Sequence, residues 1–157
     1  MINTTSKSRT QRLVFTGDPA VTVKPEILAA RRSSWTKRQV IAALAELPAE
    51  TTAVARAELE AKARAELEAV AVPREWVPVE DCSAVTGATV AKVRALSWVE
   101  DQEGQGLAAD KQIMRVVECG LVDLDGDSKA AKDFLADPMA ELVIPLYRAI
   151  SDLTWGN

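Results

Sequence analysis

The sequence predicts a mainly α-helical fold, a small helical domain with a short N-terminal β-hairpin. Three observations carry that expectation. The last third places large apolar residues at helical spacing, and a middle stretch rich in Ala, Glu and Arg has high helix propensity. Two short apolar, β-branched runs near the N-terminus flank a Gly-Asp-Pro turn.

Residues 1–10 read as a flexible basic leader, followed by a single mainly helical domain over 11–157. The opening "MINTTSKSRTQRL" lacks the apolar core of a secretory signal, and no apolar run approaches the ~20 residues that span a bilayer. "RLVF" (12–15) and "VTVK" (21–24) flank "TGDPA" and are expected to pair as the hairpin. Two strands alone are marginal in water, so the hairpin needs helices to pack on.

"PEILAARRSSWTKRQVIAALAELP" predicts one broken helix or two short ones. Pro25 suits a first helical turn, Thr36 and Gln39 form a capping-box pattern, and Pro48 ends the run. Trp35 stands where it would enter the core. A long charged helix is expected over about 51–71, where "ARAELEA" occurs at 55–61 and again at 63–69. The offset of eight does not match a heptad, so the duplication is local rather than a zipper. Opposite charges at i,i+4, such as Arg56–Glu60 and Arg64–Glu68, each add roughly 0.2–0.5 kcal/mol to an isolated helix. Val54, Leu59, Leu67 and Val70 make only a thin apolar stripe, so this helix is expected to project or to lie shallowly as a partner contact.

"VPREWVPVEDCSAVTG" reads as a connecting loop because of its two prolines. In 88–101, Val90, Val93, Leu96 and Val99 recur about every three residues and favour a helix, although the valines also suit a strand. The C-terminal helical core is placed at about 108–154. Its first helix carries Ile113, Val117, Leu121 and Leu124, and Asp127 or Ser128 caps a short helix through "KAAKDFLA". A last helix opens with Asp137 as N-cap and Pro138 in the first turn. Met139, Leu142, Val143, Leu146, Ile150 and Leu153 form its apolar stripe, and Pro145 is expected to kink or divide it.

Composition narrows the function. The 157 residues contain no histidine, which removes the commonest general base and zinc ligand, and the chain reads as non-enzymatic with no cofactor. Cys82 and Cys119 lack a second pair and metal-ligand spacing, so free thiols in a reducing cytosol are expected. Net charge is −4, divided as +6 over residues 1–40 and −10 over 41–157. The basic segment offers a nucleic-acid contact, yet "RRSSWTKR" (31–38) has no partner helix with the tight turn of a helix-turn-helix. Nucleic acid, a membrane and small molecules are therefore not expected as partners.

"DLDGDSKAAKDF" (123–134) starts like a calcium loop. Asp123, Asp125 and Asp127 match ligand positions 1, 3 and 5. Ser128 replaces the glycine at position 6, however, and Phe134 replaces the bidentate glutamate at position 12. The segment reads as a polar interhelical turn, and no metal residues are assigned.

The stretch 113–157 resembles the C-terminal part of tail assembly chaperones of long-tailed bacteriophages. The resemblance rests on a helix ending in a Val-Asp-x-x-Gly turn ("LVDLDG"), a Phe-containing segment ("DFLADP") and a final amphipathic helix ("LVIPLYRAISDLTWGN"). It covers about 45 residues and leaves the "ARAELEA" helix unmapped. It implies a protein of the host cytoplasm that binds the tape measure protein and recruits tail tube subunits during virion assembly. Leu142, Leu146, Ile150 and Trp155 are the candidate partner-binding residues. A structural virion component or another helical interaction module is the alternative.

Overall fold

The computed structural model describes residues 9–156. Its secondary structure corrects the predicted class: 57% is helical and 16% strand, and six α-helices accompany a four-stranded antiparallel sheet among the described residues. The fold is mixed α/β rather than a helical domain with a short hairpin. Residues 1–8 of the expected leader lie outside the described residues, and Thr10 already opens the first strand.

Internal contacts divide the chain into two units, residues 24–73 and the remainder. In the larger unit the sheet runs in the order β3 (Trp76–Pro78), β1 (Thr10–Phe15), β5 (Val90–Arg94), β6 (Leu121–Leu124). The expected hairpin does not form. β1 is an inner strand, with Phe15 opposite Trp76 on one side and Leu13 opposite Ala91 on the other. β2 (Thr22–Val23) leaves the sheet and pairs instead with β4 (Cys82–Ala84). The physical reason is burial: Leu13, Val14 and Phe15 are all buried, which a two-stranded ribbon cannot provide.

The segment 72–87, expected to be loop, supplies β3, a 3-10 turn and β4. These strands are only three residues long and β3 ends in Pro78, so neither length nor alternation makes them recognisable in the sequence. The helix expected over 88–101 is also corrected. In "VAKVR" the buried residues are Ala91 and Val93, two apart, which is strand periodicity. The apparent three-residue repeat arose from reading across a junction into helix α3 (Trp98–Gln105), where Val99 is exposed. Ser97 starts α3 with a capping box closed by Glu100, a pattern visible in "SWVE".

Helices α4 (Ala109–Gly120), α5 (Ser128–Ala136) and α6 (Ala140–Trp155) cover the inner face of the sheet. Leu13, Trp76 and Val93 from the strands meet Val117, Leu146 and Ile150 from the helices in one apolar cluster. α4 and α6 pack closely at Gly120, where a Cβ would lie 2.6 Å from Ile150. Asp137 does not cap α6. It ends α5, with its N–H donating to the Phe134 carbonyl, and Met139 takes the cap position of α6. Pro145 sits inside α6 without dividing it.

The "DLDGD" turn is not interhelical but joins β6 to α5. Asp125 (φ 52°) and Gly126 (φ 79°) both adopt left-handed backbone, and Leu124 and Asp127 exchange both backbone hydrogen bonds across them. That is the Asp-Gly turn of a two-residue hairpin. Each aspartate has a local task. Asp123 Oδ1 accepts from Gly126 N, Asp125 Oδ1 from Val90 N, and Asp127 Oδ1 from Lys129 N and Ala130 N as the expected cap of α5.

The smaller unit, residues 24–73, is a helical hairpin. α1 (Pro25–Ala45) is one continuous helix rather than a broken one, with Pro25 in its first turn and Trp35 buried as expected. α2 (Ala53–Glu68) falls within the predicted charged helix and buries no residue. Thr52 caps its start by accepting from Ala55 N, and Arg32 Nη2 reaches the Leu67, Glu68 and Val70 carbonyls at its end.

Candidate functional site: an apolar cleft at the end of the sheet

Within the larger unit, the end of the sheet at Phe15, Trp76, Thr89 and Leu124 opens into a cleft of about 390 Å³. Phe134 from α5 and Met139, Leu142 and Leu146 from α6 form its other wall. The local sequence explains why it forms. The α5–α6 junction "DPM" ends one helix and starts the next, so Phe134 at the end of α5 and Met139 at the start of α6 both line the cleft.

The aromatic floor is fixed in place. The Phe15 and Trp76 rings lie 5.4 Å apart at 51°, a tilted arrangement that aromatic pairs favour. Trp76 Nε1 donates to the Leu142 carbonyl at 3.0 Å, tying β3 to α6. At the rim, Arg74 Nη1 donates to Glu141 Oε1 at 3.0 Å, and both side chains are largely exposed. Such a pair contributes about 0–1 kcal/mol and opens easily. Asp18 completes the rim, its Oδ1 accepting from Ala20 N. The result is an aromatic and aliphatic depression with a charged lip, suited to holding apolar side chains of a partner.

The four candidate partner-binding residues separate. Leu142 lines the cleft wall. Leu146 and Ile150 are both 0% exposed; Leu146 closes the back of the cleft and Ile150 packs under Gly120. Trp155 is 61% exposed at the end of α6. Trp98, 76% exposed at the start of α3, belongs to the same end of the unit, because Leu96 N donates to Thr154 Oγ1 at 3.0 Å. Phe15, Trp76 and Phe134 were not among the expected partner-binding residues, and Met139 was expected only as part of the apolar stripe of the last helix. Their convergence depends on the pairing of β1 with β3, which no local pattern announces.

Elsewhere in this unit, Arg94 and Glu100 form a two-pronged ion pair at 2.8 and 2.6 Å. The Arg94 hydrogen bonds hold the Glu100 carboxyl down at about 2. Burial pushes the neighbouring Cys119 thiol up, away from the thiolate that nucleophilic chemistry requires. Among the described residues no group of three or more acidic or cysteine side chains is placed to hold a metal ion. No helix among them is long and apolar enough to cross a membrane. No family model, curated protein or solved structure matches the chain.

Proposed function

We propose that this protein is a non-enzymatic polypeptide-binding protein, a tail assembly chaperone of long-tailed bacteriophages. It holds the tape measure protein and tail tube subunits in the host cytoplasm while the tail is built. The observation that carries this reading is the open apolar cleft under the start of α6. Its helical wall, Phe134 to Leu146, lies within the stretch that resembles that family. An aromatic floor with an exposed, weakly held charged lip suits a client that must be released when assembly is complete.

A second reading, a structural virion component, draws on the exposed Trp98 and Trp155, neither of which lines the cleft. Exposed tryptophans of this kind are common anchors of lasting interfaces.

Co-expression with the tape measure and tail tube proteins of the same genome tests the proposal. The full chain is expected to co-purify with at least one of them, and Met139→Asp is expected to lose it while circular dichroism stays unchanged. Phe134→Asp provides the same test from α5. A Trp98→Ala variant should retain the client. Client capture that survives both cleft variants, or the absence of tail genes beside this one, would defeat the reading.

A further inference from the structure

The cleft has a neighbour on the other side of α6. Ile113 and Met114 of α4 and Ala140, Val143 and Ile144 of α6 line a groove of about 220 Å³, together with Pro138. The first two turns of α6 therefore form a ridge between two apolar depressions. Leu142 and Leu146 face the cleft, while Ala140, Val143 and Ile144 face the groove. Beside the rim residue Glu141, the ridge presents open apolar side chains: Met139 is 59% exposed and Ile144 is 41% exposed. Methionine adapts its shape to different partners more readily than a branched side chain does.

Geometry and charge together specify an occupant. A helix is about 10 Å across, so a partner that fills both depressions must present two apolar anchors separated by roughly that distance. Positions i and i+7 of an α-helix lie about 10.5 Å apart on one face. In an extended strand the matching separation is about three residues, which puts the two side chains on opposite faces. A helix fits and a strand does not. The charged side chains lining the two depressions are Asp18, Glu141 and Asp110 against Arg74 alone, so the surface favours a cationic partner.

We propose that the cleft and the groove together dock a cationic amphipathic helix of a partner polypeptide, which straddles the start of α6 with apolar side chains at i and i+7. This inference rests on the polypeptide-binding reading above and names the chemistry of the segment bound.

The test is fluorescence anisotropy of labelled synthetic peptides titrated with the full chain. One ~18-residue helix-forming peptide carries Leu at i and i+7 among Ala and Lys. A second has the same composition with the leucines on opposite faces, and a third has Glu in place of Lys. The first is expected to bind at least tenfold more tightly than the others and to weaken as salt is raised. Met139→Lys and Ile144→Lys, both at exposed positions, are each expected to weaken it about tenfold. Equal binding of the Glu peptide, equal binding of the out-of-phase peptide, or indifference to both variants would overturn the inference. Self-association of the chain that Met139→Lys abolishes would assign the surface to a second copy and overturn it too. Co-purification of tail proteins with no binding of the first peptide would sink this inference alone; failure of both would sink the polypeptide-binding reading as well.

Discussion

Arg32 shows how one side chain closes an element. Its Nη2 reaches the Leu67, Glu68 and Val70 carbonyls at 3.0, 2.8 and 2.8 Å, bringing positive charge to the end of α2 where the helix dipole is negative. Arg32→Ala is expected to destabilise the helical hairpin by about 1–2 kcal/mol in chemical denaturation. Arg32→Lys should recover part of that loss, because a single nitrogen makes all three contacts. Glu100 makes a pH-dependent contribution of a defined sign. Its carboxyl is held at about 2, below the ordinary 4.5, so its stabilisation is complete above that ordinary value and disappears as pH falls toward 2. Glu100→Gln is therefore expected to lower the melting temperature at pH 7, with the gap to the parent protein closing between pH 4.5 and about 2. At Gly120 a methyl group would press on Ile150, so Gly120→Ala is expected to cost about 1–3 kcal/mol. Ile150→Val in the same chain should relieve part of that cost, which a double-mutant cycle of unfolding free energies would measure.

Among the elements, those whose signals are local were legible in the sequence. Pro25 in the first turn of α1, the Asp127 cap of α5, and the Ala-rich α2 all follow from side chains within a few residues. Elements defined by distant partners were not. β1 looked like half of a hairpin because its neighbours β3 and β5 lie far along the chain, and β3 and β4, at three residues each, were too short to register. The aspartate-rich turn was legible as a turn but not as the particular one that forms. Its two left-handed residues and the bond from Val90 N to Asp125 make it a clamp between β5 and α5. Gly126→Ala, at φ 79°, is expected to cost about 1–2 kcal/mol, measurable as a lowered denaturation midpoint. Thr52→Ala should cost about 1 kcal/mol by removing the cap of α2, and helicity lost by circular dichroism would report it.

At the scale of the whole molecule, stability is distributed unevenly. α2 buries no residue, whereas the inner strands β1 and β5 carry Leu13, Val14, Ala91 and Val93 at 1% exposure or less. Native-state hydrogen exchange is expected to show α2 amides opening well before those of β1 and β5. The candidate site was half legible for the same reason that the sheet was not. The apolar stripe of α6 named Leu142 and Leu146, but which of its residues face open space depends on strands drawn from distant parts of the chain. The central claim, that a client polypeptide lies in the cleft, is tested most directly by site-specific photocrosslinking. A benzophenone side chain would replace Met139, with Trp98 as the comparison position, during co-expression with the tape measure and tail tube proteins. Crosslinks to a tail protein from position 139 and none from position 98 are the expected result. Crosslinks confined to position 98, or none from position 139 while the client still co-purifies, would contradict the account.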